Sequence, residues 1–260
     1  MFSAVIPIYN HAKFVRQAIW SALRCPLVKE ILVVDDGSTD GSDRIAASMA
    51  AAHSGRVRDL TPPSSVNRGA HHRLNELVEM AQSEWVAVLN SDDAFVSGRF
   101  EAIVADPHFS DCDFAFGNVL FMDERGALTG AKRGPLDSWT PFRPSLDLLR
   151  MVAERRFVEL LSEQNCVITT SNMVFRKSLH ARIGGFRPYR YVHDWDFALR
   201  ATLPGRAAYI PRFLTAYRIH SRNTIQESER KAFIETRSML GRFQSEFPDA
   251  MKRDASNRRC

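Results

Sequence analysis

Four short apolar runs recur about every 27 residues through the first hundred positions, beginning near Ser3 (SAVIPI), Glu30 (EILVV), Val57 (VRDL) and Trp85 (WVAVL). Between them the apolar positions switch to helical spacing. Phe14, Val15, Ala18, Ile19, Ala22 and Leu23 form one stripe, Ile45, Ala46 and Met49 a second, and Leu74, Leu77, Val78 and Ala81 a third. Strands alternating with helices of this length specify βαβ units and a parallel sheet. The strand runs are apolar at consecutive positions, which suits strands covered by helices on both faces. The expected fold is α/β: an open, doubly wound mixed sheet, mostly parallel in its N-terminal half and flanked by helices.

Beyond residue 105 the rhythm breaks. Residues 113–123 read as a strand and 124–127 as its turn. Pro135, Pro141 and Pro144 precede a helical stretch, and residues 172–176 read as a short strand. Gly184 to Pro188 reads as a loop, Asp194 to Ala201 as a helix and Leu214 to His220 as a last strand. From Glu227 onward the pattern is an amphipathic helix, followed by a basic tail with Lys252, Arg253, Arg258 and Arg259. There is no internal repeat or linker, so a single domain is expected: residues 1–105 as one half, 106–225 as the other, and 226–260 as a C-terminal helix and tail.

Composition narrows the class. A chain of 260 residues with 45% hydrophobic and 25% charged content is that of an ordinary globular protein, not a disordered or fibrous one. No apolar run approaches the ~20 residues of a membrane span, and the first residues lack the basic and apolar regions of a signal peptide. Cys25, Cys112, Cys166 and Cys260 are far apart, which argues against a zinc site or a disulfide framework and fits the cytoplasm. The net charge of +5 is uneven, −1 over residues 1–100 and +6 over the rest. A basic second half suits an anionic substrate or a membrane surface. No motif of a nucleic-acid reader is present.

In an open α/β sheet the ligand site lies beyond the carboxyl ends of the strands. The residues that follow the strands here are polar and acidic: Tyr9-Asn10, then Asp35-Asp36-Gly37-Ser38, then Asn90-Ser91-Asp92-Asp93. Turn chemistry would account for either acidic pair alone. Two pairs at equivalent strand ends point to function, because converging carboxylates repel unless a cation or donors intervene. An EF-hand is excluded because Ala47 stands where its bidentate Glu belongs. The glycine fingerprint of a dinucleotide fold and the P-loop are both missing.

Taken together, Ala4–Asn10, Ile31–Ser42 and Leu89–Asp93 resemble a family 2 glycosyltransferase of the GT-A fold. Asn67–Asn75 is similar to that family's segment between the third strand and the metal motif. Gly184-Gly185-Phe186 with His193-Asp194-Trp195-Asp196 is similar to its acceptor-side signature, and Tyr217–His220 to the segment carrying a late histidine. Residues 105–165 and the C-terminal helix carry no likeness. Three positions depart from the pattern: Asn90 replaces the first Asp of the metal motif, His193 replaces a Glu, and Leu74 stands where some members have Arg.

The resemblance implies inverting, metal-assisted transfer from a nucleotide-diphospho-sugar, a UDP-sugar by expectation, to a hydroxyl of a glycan or lipid-linked acceptor. Asp194 would be the general base. Pro7, Tyr9, Asn10, Asp36, Asn67 and Asp92 would bind the nucleotide-sugar, with Tyr9 stacking on the base and Asp36 accepting from base or ribose. Asp93 and His220 would hold a divalent cation, Mn or Mg. A protonated His193 would favour the ionised form of Asp194 and weaken it as a base. Trp195 reads as core or acceptor contact, and His71 and His72 read as solvated helix residues. The rival readings are a sugar-nucleotide-binding protein without catalysis and a sugar-phosphate nucleotidyltransferase. The second would need a basic, glycine-rich loop after the first strand, which Tyr9–Phe14 is not.

Overall fold

The four N-terminal runs form β1 (Phe2–Ile8), β2 (Val28–Asp35), β3 (Val57–Asp59) and β4 (Trp85–Val88), with α1 (Val15–Leu23), α2 (Ser42–Ala52) and α3 (Ala70–Met80) between them. Alternate side chains enter two separate cores. Val5, Leu32, Val34, Val86 and Val88 pack with Leu74, Leu77 and Val78 of α3. Ala4, Ile6, Ile31, Val33 and Ala87 pack with α1 and α2 through Val15, Ala18, Ile19, Ala46 and Met49. Both faces of the sheet are therefore covered, which is why consecutive apolar residues are stable in these strands.

The computed structural model describes residues 1–136, 146–221, 223 and 228–250. Pro141, Pro144, Glu227, Cys260 and the basic tail with Lys252, Arg253, Arg258 and Arg259 lie outside them. The chain continues through β5 (Ala94–Phe95), α4 (Arg99–Val104), β6 (Phe114–Met122), β7 (Leu128–Lys132), α5 (Leu146–Ala153) and α6 (Phe157–Glu163). It closes with β8 (Val174–Arg176), α7 (Lys177–Ile183), α8 (His193–Thr202), β9 (Ala207–Arg218) and α9 (Glu229–Glu246). The described strands form one mixed sheet in the order β3-β2-β1-β4-β8-β6-β9-β5, with β7 paired to β6. The first four strands are mutually parallel; β8 runs antiparallel to β4 and β6, whereas β6 and β9 are parallel.

β9 begins at Ala207, earlier than the Leu214 that its sequence suggests. Pro211, Arg212 and Phe213 are exposed and break the apolar pattern, and the β6–β9 register shifts on both sides of Asn118. Gly117 is required there, because a Cβ would lie 2.6 Å from Leu214 Cδ1 and 2.8 Å from the Arg212 carbonyl oxygen. Helix α9, read from the sequence as a C-terminal addition to the single domain, packs into its core. Met239 and Phe243 of α9 are buried in the same cluster as Leu32 and Phe197. Among the described residues no helix is long and apolar enough to cross a membrane.

Candidate active site

A cavity of about 1100 Å³ opens beyond the carboxyl ends of β1, β2 and β4, and Pro7, Tyr9, Asn10, Asp36, Asn67, Asp92 and Asp194 all line it. Tyr9 is 46% exposed on its rim and not buried beneath the sheet. Asn10 adopts a left-handed conformation (φ 55°). It accepts from Thr39 N at 2.8 Å and donates its own N–H to Ser38 Oγ at 2.8 Å, tying the loop after β1 to the loop after β2.

The acidic pair after β4 divides between cavity and core. Asp93, expected as a metal ligand, does not line the cavity. Its buried carboxylate accepts from Ser171 Oγ at 2.6 Å, Arg218 N at 2.9 Å and Thr169 Oγ1 at 3.3 Å. Burial, together with the neighbouring charge of Asp92, holds its carboxyl well above the usual range. The group whose donor atoms could hold a cation centres on Asp92. Asp92 Oδ2 lies 3.0 Å from His220 Nε2 and 3.7 Å from His11 Nε2, and the ligand atoms of His11, Asp92 and His220 lie within 4.8 Å of one another. Burial alone would raise the Asp92 carboxyl. The charge of His11 and the hydrogen bond and charge of His220 outweigh it and hold the group below its ordinary value.

These groups are held from behind. His11 Nδ1 is 2.8 Å from Ser91 Oγ, and Arg218 donates from Nε to the Asp92 carbonyl at 2.8 Å. An orienting contact on the second ring nitrogen is the usual support for a metal-ligating histidine. Asn90 donates to Thr169 Oγ1 at 3.1 Å and accepts from Thr170 Oγ1 at 2.7 Å, so a neutral amide satisfies a turn that an Asp could only accept from. His11 was not found by sequence reasoning. The available signal was its place directly after Tyr9-Asn10 at a strand end. For Asp92 the signal was the spacing Asn90-x-Asp92, which preserves the register of the metal motif.

Asp36 organises one end of the cavity. Its carboxylate accepts from Arg68 N (2.9 Å), Gly69 N (2.9 Å) and Arg73 Nε (2.7 Å). Arg73 is buried and also donates to Glu76, Ser65 Oγ and the Val66 carbonyl. A carboxylate offers about four acceptor positions, so about one remains for a ligand. Asp36→Asn removes one of the two carboxylates that the buried Arg73 guanidinium faces, leaving Glu76. The expected loss is on the order of 3 kcal/mol of folding stability, measured by urea unfolding, alongside any loss of nucleotide affinity.

Asp194 occupies the other end, in the first turn of α8. Trp195 N donates to its Oδ1 at 2.7 Å and Asn165 Nδ2 to its Oδ2 at 3.4 Å. Burial raises its carboxyl above the usual range and outweighs the lowering by His193 and these two donors. His193 acts in the expected direction, toward the ionised form, but burial outweighs it and the net shift is upward. Asp196 points away, paired with Arg200 and, at 3.3 Å, with Arg187. Trp195 lines the cavity and donates from Nε1 to the Leu161 carbonyl at 2.6 Å. His71 lines the cavity, half-buried, whereas His72 faces Glu76 at 3.2 Å. Ile168, also on the wall, takes φ 76°, a strained conformation for a β-branched residue.

Two remote contacts fix the approach to α8. Asn75 on α3 accepts from Phe186 N at 2.8 Å and donates to the Phe186 carbonyl at 3.0 Å. A Cβ at Gly185 (φ 68°) would lie 2.6 Å from Asn75 Oδ1, so the two motifs from either side of the resemblance interlock. On the opposite side Glu235 of α9 accepts from the N–H groups of Arg190 (2.9 Å), Tyr191 (2.6 Å) and Val192 (3.2 Å). Val192 caps α8 with no side-chain cap of its own, so a carboxylate from another helix faces the positive end of its dipole. Sequence reasoning missed Glu235, which nothing local distinguishes. Glu235→Gln, with one acceptor oxygen lost, is expected to lower turnover about tenfold through displacement of Asp194. Donor affinity measured by calorimetry stays unchanged; an equal loss of both would make Glu235 a general structural support.

Residues 3–184 match the sequence profile of glycosyl transferase family 2. The chain belongs to that family. The succinoglycan biosynthesis protein ExoU of Rhizobium meliloti is 32% identical over 148 residues, 57% of this chain and 41% of that protein. The chain thus spans less than half of that curated relative. Staphylococcus aureus TarS 1–349 in complex with UDP-GlcNAc superposes with a TM-score of 0.66 at 15% identity, covering 92% of this chain and 65% of that one. The mannosyltransferase PcManGT of Pyrobaculum calidifontis, in complex with GDP-Man and Mn²⁺, superposes at 0.62 with 19% identity, covering 93% and 64%. The fold of this glycosyltransferase is the GT-A fold of these neighbours.

Proposed function

We propose that the protein transfers a sugar, with inversion, from a nucleotide-diphospho-sugar to a hydroxyl of a glycan or lipid-linked acceptor, assisted by a divalent cation. The observation that carries this reading is the meeting in one cavity of Asp92 and His11, backed by the buried His220, with Asp36, Tyr9 and the carboxylate of Asp194. Tyr9 stacks on the base, and the free acceptor position of Asp36 takes a base N–H, such as the uracil imide, or a ribose hydroxyl; a UDP-sugar is the donor proposed. Pro7, Asn10 and Asn67 shape the nucleotide wall.

His11, Asp92 and His220 suit a cation by donor chemistry: one carboxylate oxygen and two imidazole nitrogens. Two imidazoles favour Mn²⁺ over Mg²⁺, which prefers an all-oxygen shell. Bound there, the cation supplies positive charge against the departing diphosphate. Asp194 takes the proton of the acceptor hydroxyl as the oxygen attacks the anomeric carbon and the bond to the diphosphate breaks on the opposite face. The proton then passes from Asp194 to solvent. An ExoU-like relative named for succinoglycan biosynthesis supports a glycan acceptor. The test is a thermal-shift screen of UDP-, GDP- and dTDP-sugars with and without Mn²⁺. A ligand held only by the folded state raises the Tm by mass action. Stabilisation by none of them refutes the reading, and stabilisation by nucleoside triphosphate and sugar phosphate instead favours the nucleotidyltransferase.

A further inference from the structure

Helix α9 presents two unlike faces. Ala232, Met239 and Phe243 are buried against the domain, and Ala232 and Thr236 line the substrate cavity. On the outer side Phe233 and Ile234 are 61% and 56% exposed, an adjacent pair of large apolar side chains in water. Arg230, Lys231 and Arg237 are exposed around them, with Arg237 set over the Phe233 ring at 6.0 Å. Of the three acidic residues of α9, Glu235 is engaged with the 190–192 backbone and Glu246 with Arg187 and Arg242, which leaves only Glu229 near this face. The outer face is therefore apolar and cationic at once, on the helix that walls the acceptor end of the cavity.

We infer that this face of α9 docks on an anionic lipid bilayer. Phe233 and Ile234 enter the boundary between headgroups and acyl chains, and Arg230, Lys231 and Arg237 meet lipid phosphates, as in helices that lie in a membrane interface. The inference rests on the lipid-linked alternative for the acceptor proposed above, since such an acceptor reaches the cavity along the surface that α9 faces. Charge complementarity selects this occupant. A second copy of the face would oppose three cations with three, and two apolar side chains fall far short of the roughly 800 Å² per partner of a stable dimer.

The experiment is co-sedimentation of the full chain with vesicles of phosphatidylglycerol and phosphatidylethanolamine, against vesicles of phosphatidylcholine. Binding is expected to the anionic vesicles only and to weaken with salt. Arg230→Gln/Lys231→Gln/Arg237→Gln should reduce it roughly 100-fold, at about fivefold per charge. Phe233→Ser/Ile234→Ser should abolish it, with the Tm and calorimetric UDP-sugar affinity of both variants unchanged because none of the five side chains is buried. Equal partitioning of variants and wild type, no preference for anionic vesicles, or a dimer in light scattering that Phe233→Ser/Ile234→Ser dissociates would each overturn the proposal. Vesicle binding without any nucleotide-sugar affinity would instead refute the transferase reading, so the two fail separately.

Discussion

Asp194→Asn is expected to lower turnover by a factor of about 10²–10⁴, the usual effect of removing a general base, and to leave nucleotide-sugar affinity close to that of the wild type. A sugar hydroxyl does not ionise at neutral pH, and in the cavity Asp194 is a buried carboxylate whose Oδ2, among the described residues, meets Asn165 Nδ2 at 3.4 Å. Burial raises its pKa, and a base acts only when deprotonated. Activity should therefore rise with pH through a limb lying above the ordinary Asp range, and that limb should vanish from the residual activity of Asp194→Asn. Single-turnover rates across pH, alongside calorimetry, separate the chemistry from binding. Turnover within a few-fold of wild type would transfer the role elsewhere, and collapsed donor affinity would make Asp194 structural.

The second large effect belongs to Asp92. It is the only carboxylate that the structure brings to His11 and His220 among the described residues. Loss of an outer-shell contact lowers metal affinity by about 10–100-fold, and loss of a ligand exceeds that. Asp92→Ala should thus abolish Mn²⁺-dependent strengthening of UDP-sugar binding, while affinity in EDTA stays near that of wild type. Asp93→Asn should behave in the opposite way. Its carboxylate serves Ser171, Thr169 and the Arg218 N–H, so folding stability falls and the Mn²⁺ dependence persists. If Asp93→Asn removes the metal effect and Asp92→Ala does not, the division between cavity and core is wrong.

Much of the N-terminal half is legible in the sequence because local pattern and tertiary demand coincide there. Ile31 to Val34 must be covered on both faces, and the helical stripes of α1, α2 and α3 supply the cover. Legibility falls where side-chain direction or long-range pairing decides. Asp92 and Asp93 are adjacent and chemically identical, yet one meets the cavity and the other the core; no local property separates them. β5 pairs with β9 across more than a hundred residues, and its two residues carry no period of their own. The exposed Pro211–Phe213 bulge hides the start of β9. Glu235 is unremarkable within an amphipathic helix, and its partners 190–192 lie more than forty residues away.

In the proposed reaction Asp194 and the Asp92 cluster together displace a diphosphate with inversion. Water can replace the acceptor, so the unknown acceptor is no obstacle to testing it. Proton NMR of UDP-sugar hydrolysis in Mn²⁺, read before the free sugar mutarotates, reports the configuration of the first-formed product. Mn²⁺-dependent hydrolysis is expected to release the anomer opposite to that of the donor and to be lost in Asp194→Asn. Release of the same anomer, or hydrolysis that Asp194→Asn leaves intact, would contradict it.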